Sequence, residues 1–246
     1  MEDCIYHADL CRVYKNGRVD FSLQFFGGWY KIKQTKKRGY YMSDVLTYQV
    51  PGTHTPKTKQ GFAKMLALLE AADKLFNQRG FSGVSVSDIC KEAHTAVGTF
   101  YIYFDSKTDL YRYLVEIYKR QIKGHLAKAI AGCATRAEKE KEGIKCFVRY
   151  ALNNPNVYNI IWGSLAVDQQ MFADYYMSFA QSYARALQKD AQDLKVPDAT
   201  SLAYALMGIT NFLGLRAIFE KMTDQQIDEM MERDIMPMLL GGVFHE

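Results

Sequence analysis

A cluster of hydroxyl-bearing and aromatic side chains in residues 80–107 gives the chain its clearest chemical signature. The spacing predicts a short helix over roughly 96–103, in which Phe100 and Phe104 are four residues apart and share one face. The polar side chains left on its other faces are Thr99, Tyr101 and Tyr103. Two small helices joined by a tight turn, the second short and polar-faced, are typical of a helix-turn-helix that presents its second helix to the major groove of DNA.

Local signals around this helix predict how it is held. Gly80 follows a polar, cationic last turn and can accept a positive φ, so it is expected to end the preceding helix. Ser85 and Asp88 have the three-residue spacing of a capping box and predict the start of the next helix. His94 stands where that helix must stop, and histidine tolerates the left-handed region better than a β-branched residue does.

Motifs of catalysis or metal binding do not emerge from the sequence. The five histidines are dispersed and none is paired with a Ser or Cys in a recognisable pattern. The Gly-Gly pairs at 27–28 and 241–242 lack the lysine and the helix context of a phosphate-binding loop. Cys4, His7 and Cys11 are close in sequence, but a structural zinc site normally has a fourth ligand in a paired spacing. We therefore expect no enzyme, no metal and no cofactor.

Composition narrows the class of protein further. A chain of 246 residues with 48% hydrophobic residues can bury a substantial core. Its net charge of +4 is modest, so any affinity for nucleic acid must come from a local patch. No apolar run is expected to approach the ~20 residues of a membrane span, and the N-terminus lacks a signal-peptide stretch. Five scattered cysteines indicate reduced thiols and predict a cytoplasmic protein without a membrane partner.

The first 50 residues have a different pattern from the rest. Apolar and polar residues alternate over 19–25, and Asn16-Gly17 is a strong hairpin signal. Gly27-Gly28 offers a second turn, and 46–50 alternates again. The sequence predicts a small antiparallel β-rich N-terminal extension over 1–50, followed by a linker over 51–57.

This extension is basic, and two interpretations of that charge stay open. Residues 1–60 contain ten Lys or Arg against five Asp or Glu, with a basic run over 31–38 beside Trp and Tyr residues. The run could add phosphate contacts without adding sequence information. Alternatively, it is a solvated hairpin whose lysines prevent edge-to-edge aggregation.

From Gly61 onward the periodicity is helical throughout and predicts nine helices. We place a DNA-binding domain at 58–107 and a helical effector-binding and dimerisation domain at 108–246. The helix starts are predicted from capping signals at Ser106, Thr135, Asn154-Pro155, Asp168, Asp198 and Thr223.

Two consecutive helices after residue 150 are unusually rich in aromatic residues. A bundle core does not need so many hydroxyl-bearing rings, because each buried Tyr needs a hydrogen-bond partner. A mostly apolar pocket with a few polar tips is what a small molecule requires, although ordinary core packing explains any single residue. The candidate ligand-binding residues are Tyr158, Trp162, Phe172, Tyr176, Phe179 and Phe212.

Several of these segments resemble the TetR family of transcriptional regulators. Residues 64–81, KMLALLEAADKLFNQRGF, are similar to the first helix of that family. SVSDIC at 85–90 and GTFYIYFDSKTDL at 98–110 are similar to its most recurrent signature. The resemblance covers about 58–110, and beyond it only length and helix count are similar. It implies a mostly α, TetR-like nine-helix chain, here with the β-rich extension added.

The resemblance also implies roles for individual residues. Contacts to the phosphate backbone would come from Thr58, Lys59, Ser85, Thr99, Tyr101, Tyr103 and Lys107. Base reading would fall to Thr95, Ala96 and Val97. Ala96 stands where the family usually has Ser and Val97 where it usually has Lys, which removes two polar groups from the reading tip. An apolar tip suits the thymine methyl group.

The predicted function is a repressor that binds a palindromic double-stranded DNA operator as a homodimer and is released by a small apolar or aromatic effector. The homodimer is expected to form through the last two helices. Its predicted stripe is Leu202, Leu206, Ile209 and Leu213, with Gly208, Gly214, Ile227, Met230, Met231 and Ile235. The alternative is a protein-interaction module that uses the N-terminal sheet and reads DNA only weakly.

Overall fold

The computed structural model describes the backbone of residues 11–15, 18–25, 28–32 and 50–243, and the side chains of residues 50–243. The chain divides into two compact units, residues 1–45 and 46–246, and each is described by itself.

The first unit contains three antiparallel strands in the order β1-β2-β3. They are β1 (Cys11–Lys15), β2 (Arg18–Phe25) and β3 (Gly28–Ile32). Lys15 pairs with Arg18 across the first turn, and Phe25 pairs with Gly28 across the second. Most of the predicted fourth strand lies outside the described residues, so the β-rich extension over 1–50 as a whole stays a prediction.

The second unit begins with a compact group of helices. They are α1 (Lys59–Arg79), α2 (Val86–Glu92), α3 (Val97–Tyr103) and α4 (Lys107–Ile130). Gly80 ends α1 at φ 70°, as expected of a residue without a Cβ. Met65, Leu68, Phe100, Phe104 and Leu114 are fully or almost fully buried between these helices. The core of this group therefore fixes α3 against α1 and α4.

A second group of helices completes the chain. They are α5 (Arg136–Asn153), α6 (Pro155–Val167), α7 (Gln169–Lys189), α8 (Ala199–Glu220), α9 (Asp224–Met230) and α10 (Met236–Gly242). A 3-10 turn at Ala191–Asp193 lies between α7 and α8. The shared core of α5, α7, α8 and the last helices includes Val148, Leu187, Leu206, Ile227 and Leu239.

The last helix is longer than the sequence pattern indicated. A π-helical segment, Met231–Ile235, joins α9 to α10, so the helix runs on past Met236. Pro237 lacks an amide hydrogen and its ring would clash with the carbonyl four residues earlier in a regular helix. A π segment just before the proline relieves that clash. Counting this run as one, residues 50–243 form the expected nine helices.

Capping residues explain most of the helix starts. Ser85, Thr135 and Thr223 each form a capping box with the residue three positions on. Asp168 and Asp198 accept two backbone N–H bonds each at the starts of α7 and α8. Asn154 differs, because its side chain makes no capping bond and Pro155 alone marks the start of α6.

The segment before α1 is bonded to the end of α3. His54 N donates to Tyr103 O at 2.8 Å, and Asp105 N donates to Gly52 O at 2.9 Å. Thr53 forms an antiparallel bridge with Phe104, and Val50 and Pro56 are buried. Much of the predicted linker is therefore attached to the helix-turn-helix.

Helix α8 is long and apolar enough to cross a bilayer by length and composition, contrary to the expectation of no such run. Core helices of soluble proteins pass the same test, and 33% of its apolar window is buried against the rest of the chain. The helix is thus weak evidence for a membrane span.

Candidate functional site

Helix α3 presents one face to the protein core and the opposite face to solvent. Phe100 is 0% exposed and Tyr103 6%, so these rings anchor the helix. Val97, Tyr101 and Ile102 are 45%, 53% and 61% exposed, although each carries a large apolar or aromatic side chain. The exposed face is therefore available to a partner and is largely apolar.

The turn before α3 has the geometry of a helix-turn-helix. Ser85 Oγ accepts a bond from Asp88 N, and the Asp88 carboxylate accepts from Ser85 N at 2.9 Å. The Asp88 carboxylate also accepts from Ser85 Oγ at 2.7 Å, and this bond, followed by the one from Ser85 N, lowers the pKa of Asp88 below its usual value and so keeps the cap charged. His94 adopts φ 52°, which confirms the expected left-handed stop of α2.

The residues at the tip of α3 differ in orientation. The N-cap residue Ala96 is exposed and makes no side-chain bond, and Val97 beside it is exposed as well. Thr95 instead turns inward, because its hydroxyl is buried beside the Cys90 thiol. Of the three residues predicted to read bases, only Ala96 and Val97 therefore present their side chains to solvent.

Lys107 has partners inside the protein. Its Nζ donates to Phe81 O at 2.8 Å and to Val84 O at 2.6 Å, and lies 4.0 Å from the centre of the Phe81 ring. Partial burial lowers the pKa of this lysine. Lys107 thus connects α4 to the turn between α1 and α2. The family resemblance predicts only a contact of Lys107 with a DNA phosphate and not this internal role.

Three further predicted DNA-binding residues meet at the start of α1. Thr58 accepts a bond from Gly61 N at 3.1 Å, and Lys59 next to it is exposed. The hydroxyl of Tyr103 lies beside the same turn, since a Cβ on Gly61 would be 3.3 Å from it. The Tyr103 ring itself is buried, so only its hydroxyl can reach a phosphate.

The predicted ligand-binding aromatics are brought together in part. The rings of Phe172 and Tyr176 are tilted by 51° to each other with their centres 4.8 Å apart, and the Trp162 ring lies 6.1 Å and 6.4 Å from them. Phe179 contacts Tyr175 at 5.7 Å. Phe212 does not join them, because it lies on α8 with 68% of its surface exposed. The assignment of Phe212 to an interior pocket is therefore not supported by its position.

A narrow cavity lies beneath these rings. Tyr158 and Trp162 line it together with Phe147, Tyr175 and Asn211, and its volume is about 10 Å³. That is roughly the room needed for one water molecule. Any larger ligand must first displace a wall residue.

The hydroxyls around the cavity are held in their neutral form. Burial raises the pKa of Tyr158 and Tyr175, and raises that of Tyr176 to about 12. Tyr158 Oη donates to Asn211 O at 3.0 Å. The buried hydroxyl of Tyr176 has no partner in the described part of the chain.

Polar contacts join the helix-turn-helix group to α6, and sequence reasoning missed them. Asp73 on α1 accepts from Tyr118 at 2.6 Å and from Asn156 at 3.3 Å. Asn159 Nδ2 on α6 donates to Asn77 Oδ1 on α1 at 3.0 Å. Partners this far apart in sequence leave no local signal.

The predicted dimer stripe is mostly core of the same chain. Leu202, Leu206, Ile227, Met230 and Met231 are buried within the bundle, and Ile209, Leu213 and Ile235 pack against it. Gly214 is also internal, since a Cβ there would be 2.3 Å from the Tyr158 hydroxyl. Helix α8 is apolar on two faces, and periodicity alone does not say which one the chain covers. Its exposed face carries Tyr204, Gly208, Phe212 and Phe219.

Metal ligation gains no support from the described residues, in which no group of three His, Cys, Asp or Glu side chains could hold an ion. The side chains of Cys4, His7 and Cys11 lie outside the described part.

Comparison with known proteins agrees with this geometry. Residues 68–114 match the family of bacterial regulatory proteins called the tetR family. The HTH-type transcriptional regulator YvdT of Bacillus subtilis is 46% identical over 52 residues, which are 21% of this chain and 27% of YvdT. YttP of the same organism, also an HTH-type transcriptional regulator, is 25% identical over 114 residues, 46% of this chain and 55% of YttP.

The matches span about a quarter and about half of the lengths of these two relatives. Among solved structures, a TetR-like transcriptional regulator from Rhodococcus sp. RHA1 superposes with a TM-score of 0.56 at 19% identity, over 69% of this chain and 91% of that one. At that identity the superposition establishes the fold alone, and the sequence matches supply the relationship. The family match and the relatives show that residues 68–114 are a helix-turn-helix segment of the tetR family type, and the superposition shows that the helical part of the chain shares the fold of a TetR-like regulator.

Proposed function

We propose that this protein is a DNA-binding transcriptional regulator, and more specifically a repressor that acts as a homodimer on a palindromic operator. One observation carries the proposal. Helix α3 is anchored by Phe100 and Tyr103 while Val97, Tyr101 and Ile102 stay exposed. A soluble domain gains nothing from exposing such side chains on a short helix unless a partner covers them.

Contacts to the phosphate backbone would fix the protein on the duplex. Thr58, Lys59 and the Tyr103 hydroxyl lie around the first turn of α1, and Tyr101 projects from α3. The positive end of the α1 dipole favours an anion there. Ser85, Thr99 and Lys107 remain proposed phosphate contacts from the family resemblance, with Lys107 also engaged internally.

Sequence reading would rest on Ala96 and Val97. Both are exposed, and both offer only apolar contact to base edges. Among major-groove groups the thymine methyl is the one suited to such contact. The proposed half-site therefore has thymines at the base pairs that the N-terminus of α3 contacts in the major groove.

Release from DNA would follow a shift in population between two dimer conformations. A dimer whose recognition helices are about one helical turn of DNA apart, roughly 34 Å, matches successive major grooves. An apolar or aromatic effector held by the second helix group would favour a dimer with a different spacing. The exposed α8 face with Phe212 and Phe219 supplies a self-complementary surface for an isologous dimer.

The test begins with selection of binding sites from random duplex DNA by the full chain, followed by gel shifts at several salt concentrations. We expect Lys59→Ala to lower the salt slope of log K by about 0.9, because one phosphate contact is lost. Lys128→Ala is the matched control, an exposed lysine near the far end of α4, and should leave the slope unchanged. No enriched DNA, or equal slopes for both variants, would contradict the proposal.

The N-terminal extension is tested in the same assay by deleting residues 1–49. Val50 is retained because it is only 4% exposed and lies in the segment bonded to α3. Weaker binding to all sequences would support extra phosphate contacts from the extension. Unchanged DNA binding together with loss of a protein partner would favour the interaction-module alternative, which the regulator names of the relatives do not favour.

A further inference from the structure

A surface groove lies where the helix-turn-helix group meets the second helix group. Its volume is about 480 Å³, within the range of roughly 300–1,000 Å³ typical of small-molecule sites. One wall is the end of α1, and the other walls are α6 and α8. The lining residues are Phe76, Asn77, Gly80, Tyr158, Asn159, Trp162, Gly163 and Leu215.

The wall of this groove is uncharged and aromatic. None of the lining residues carries an ionisable charge at neutral pH, so the groove offers no compensation for a desolvated ion. Trp162 leaves 39% of its surface exposed, which provides a face for a stacked ring. Asn77 and Asn159 supply amide groups that can accept and donate hydrogen bonds. These features fit an uncharged, planar aromatic molecule.

The groove and the narrow cavity share two wall residues. Tyr158 and Trp162 line both, so the open groove and the narrow cavity meet at these two side chains. The Tyr158 ring is fixed by the hydrogen bond from its hydroxyl to Asn211 O and by close packing of that hydroxyl against Gly214. Beside Trp162 lies Tyr176, whose buried hydroxyl has no partner among the described residues and can bond to a ligand that enters past the indole.

We infer that this groove binds an uncharged planar aromatic molecule against Trp162, and that occupation separates α1 from α6. The ligand would lie between helices joined by the Asn159–Asn77 hydrogen bond of 3.0 Å. Breaking that contact frees the end of α1, and because α1 also contacts α3, a movement of α1 would shift α3 and so lower the affinity for DNA. The regulatory half of this inference rests on the proposed function, whereas ligand binding does not.

The binding test uses the fluorescent probe N-phenyl-1-naphthylamine, an uncharged aromatic molecule, with the full chain carrying Trp29→Phe. The sequence has two tryptophans, so Trp162 is then the sole donor for energy transfer to the probe. We expect saturable probe fluorescence sensitised by Trp162. In titrations in which the probe itself is excited, Trp162→Ala should bind the probe about tenfold more weakly, because one aromatic ring for stacking is lost. Leu165→Ala, at a 47% exposed position on the same helix, is the matched control and should bind as the parent does.

Three more variants locate the site. Asn159→Trp fills the groove from an exposed position, and Leu215→Glu places a charge on its wall, so both should abolish saturation. Phe147→Ala enlarges only the inner cavity and should change the dissociation constant less than threefold. The inference is overturned if the probe does not saturate or if Asn159→Trp binds it normally. It is also overturned if only Phe147→Ala alters binding.

Coupling is measured separately with the selected DNA. Saturating probe should weaken DNA binding at least about fivefold, and by linkage DNA should weaken probe binding by the same factor. Leu215→Glu, which keeps the Asn159–Asn77 bond, should bind DNA without responding to the probe, whereas Asn159→Trp, which removes that bond, should bind DNA more weakly even without the probe. If the chain binds no DNA, the proposed function fails while groove binding stands. If DNA binds and the probe does not, the inference fails and the proposed function stands.

Discussion

Replacing Lys107 with Met tests whether this lysine holds the helix-turn-helix together or mainly binds phosphate. Met keeps the length of the aliphatic stem but loses the bonds to Phe81 O and Val84 O and the contact of the ammonium group with the Phe81 ring. Hydrogen bonds to charged groups contribute about 1.5–3 kcal/mol each. Lys107 is only partly buried, so the lower end applies, and we expect a total loss of about 2–3 kcal/mol.

The assay is thermal unfolding followed by circular dichroism at low protein concentration. For a chain of this size 1 kcal/mol shifts Tm by about 2–4 °C, so Lys107→Met should unfold roughly 5–10 °C below the parent. Lys74→Met is the control in the same helix group. Lys74 forms an exposed pair with Glu92, at 45% and 38% side-chain exposure, and surface pairs contribute only about 0–1 kcal/mol.

Two results together would refute this reasoning. The first is a Tm for Lys107→Met that equals that of Lys74→Met. The second is a salt slope of DNA binding that falls by about one unit for Lys107→Met, the mark of a lost phosphate contact. Lys107 would then act chiefly by binding DNA, and its hydrogen bonds within the protein would contribute little to the stability of the fold.

Three further predictions follow from the exposed faces and from one helix cap. Phe212→Glu should convert a dimer into a monomer in light scattering at micromolar concentration. Leu165→Glu should leave the dimer intact, because Leu165 lies on α6 and not on the exposed face of α8. A Phe212→Glu variant that is still dimeric would contradict this prediction. Replacing the half-site thymines by uracil removes only the methyl group and should weaken DNA binding by about 1 kcal/mol per thymine that contacts Val97. Undiminished binding to the uracil operator would show that Val97 does not contribute to base recognition. The pKa of Asp168 is lowered chiefly by its bond from Met171 N and also by Arg112, so its carboxylate stabilises the fold above the unfolded pKa of about 3.9. Asp168→Asn should therefore have a lower free energy of unfolding than the parent above about pH 5. This difference should shrink as the pH falls through the lowered pKa of the folded state. A difference that is independent of pH would contradict the proposed role of the Asp168 carboxylate.

Local chemistry explains which parts of the fold were predictable. A capping box depends on residues three apart, so Ser85 with Asp88 and Thr135 with Glu138 could be read from the sequence and are confirmed. The left-handed stop at His94 is equally local. These local signals mark both ends of α2, and α3 follows directly after them.

Tertiary pairing explains what the sequence left out. Lys107 Nζ meets carbonyls 26 and 23 residues earlier, and Asn159 meets a side chain 82 residues earlier. The failed dimer stripe has a related cause, because Leu206 and Phe212 belong to opposite apolar faces of α8. Only the packing of α5 and α7 decides that Leu206 is covered by its own chain.

The first turns of α4 connect all the parts that regulation would have to move together. Lys107 holds the turn before α2, and Asp109 lies under Gly52 so closely that a Cβ there would be 2.4 Å from its Cγ. Arg112 Nη2 bonds to Asp168 Oδ2 at 2.9 Å, and Tyr111 Oη donates to Ile160 O at 2.7 Å. A shift of α6 or α7 therefore acts on the same helix that holds the recognition unit and the segment leading to the basic extension. In the proposed mechanism, an effector that moves α6 would therefore act on α3 through side chains of this one helix.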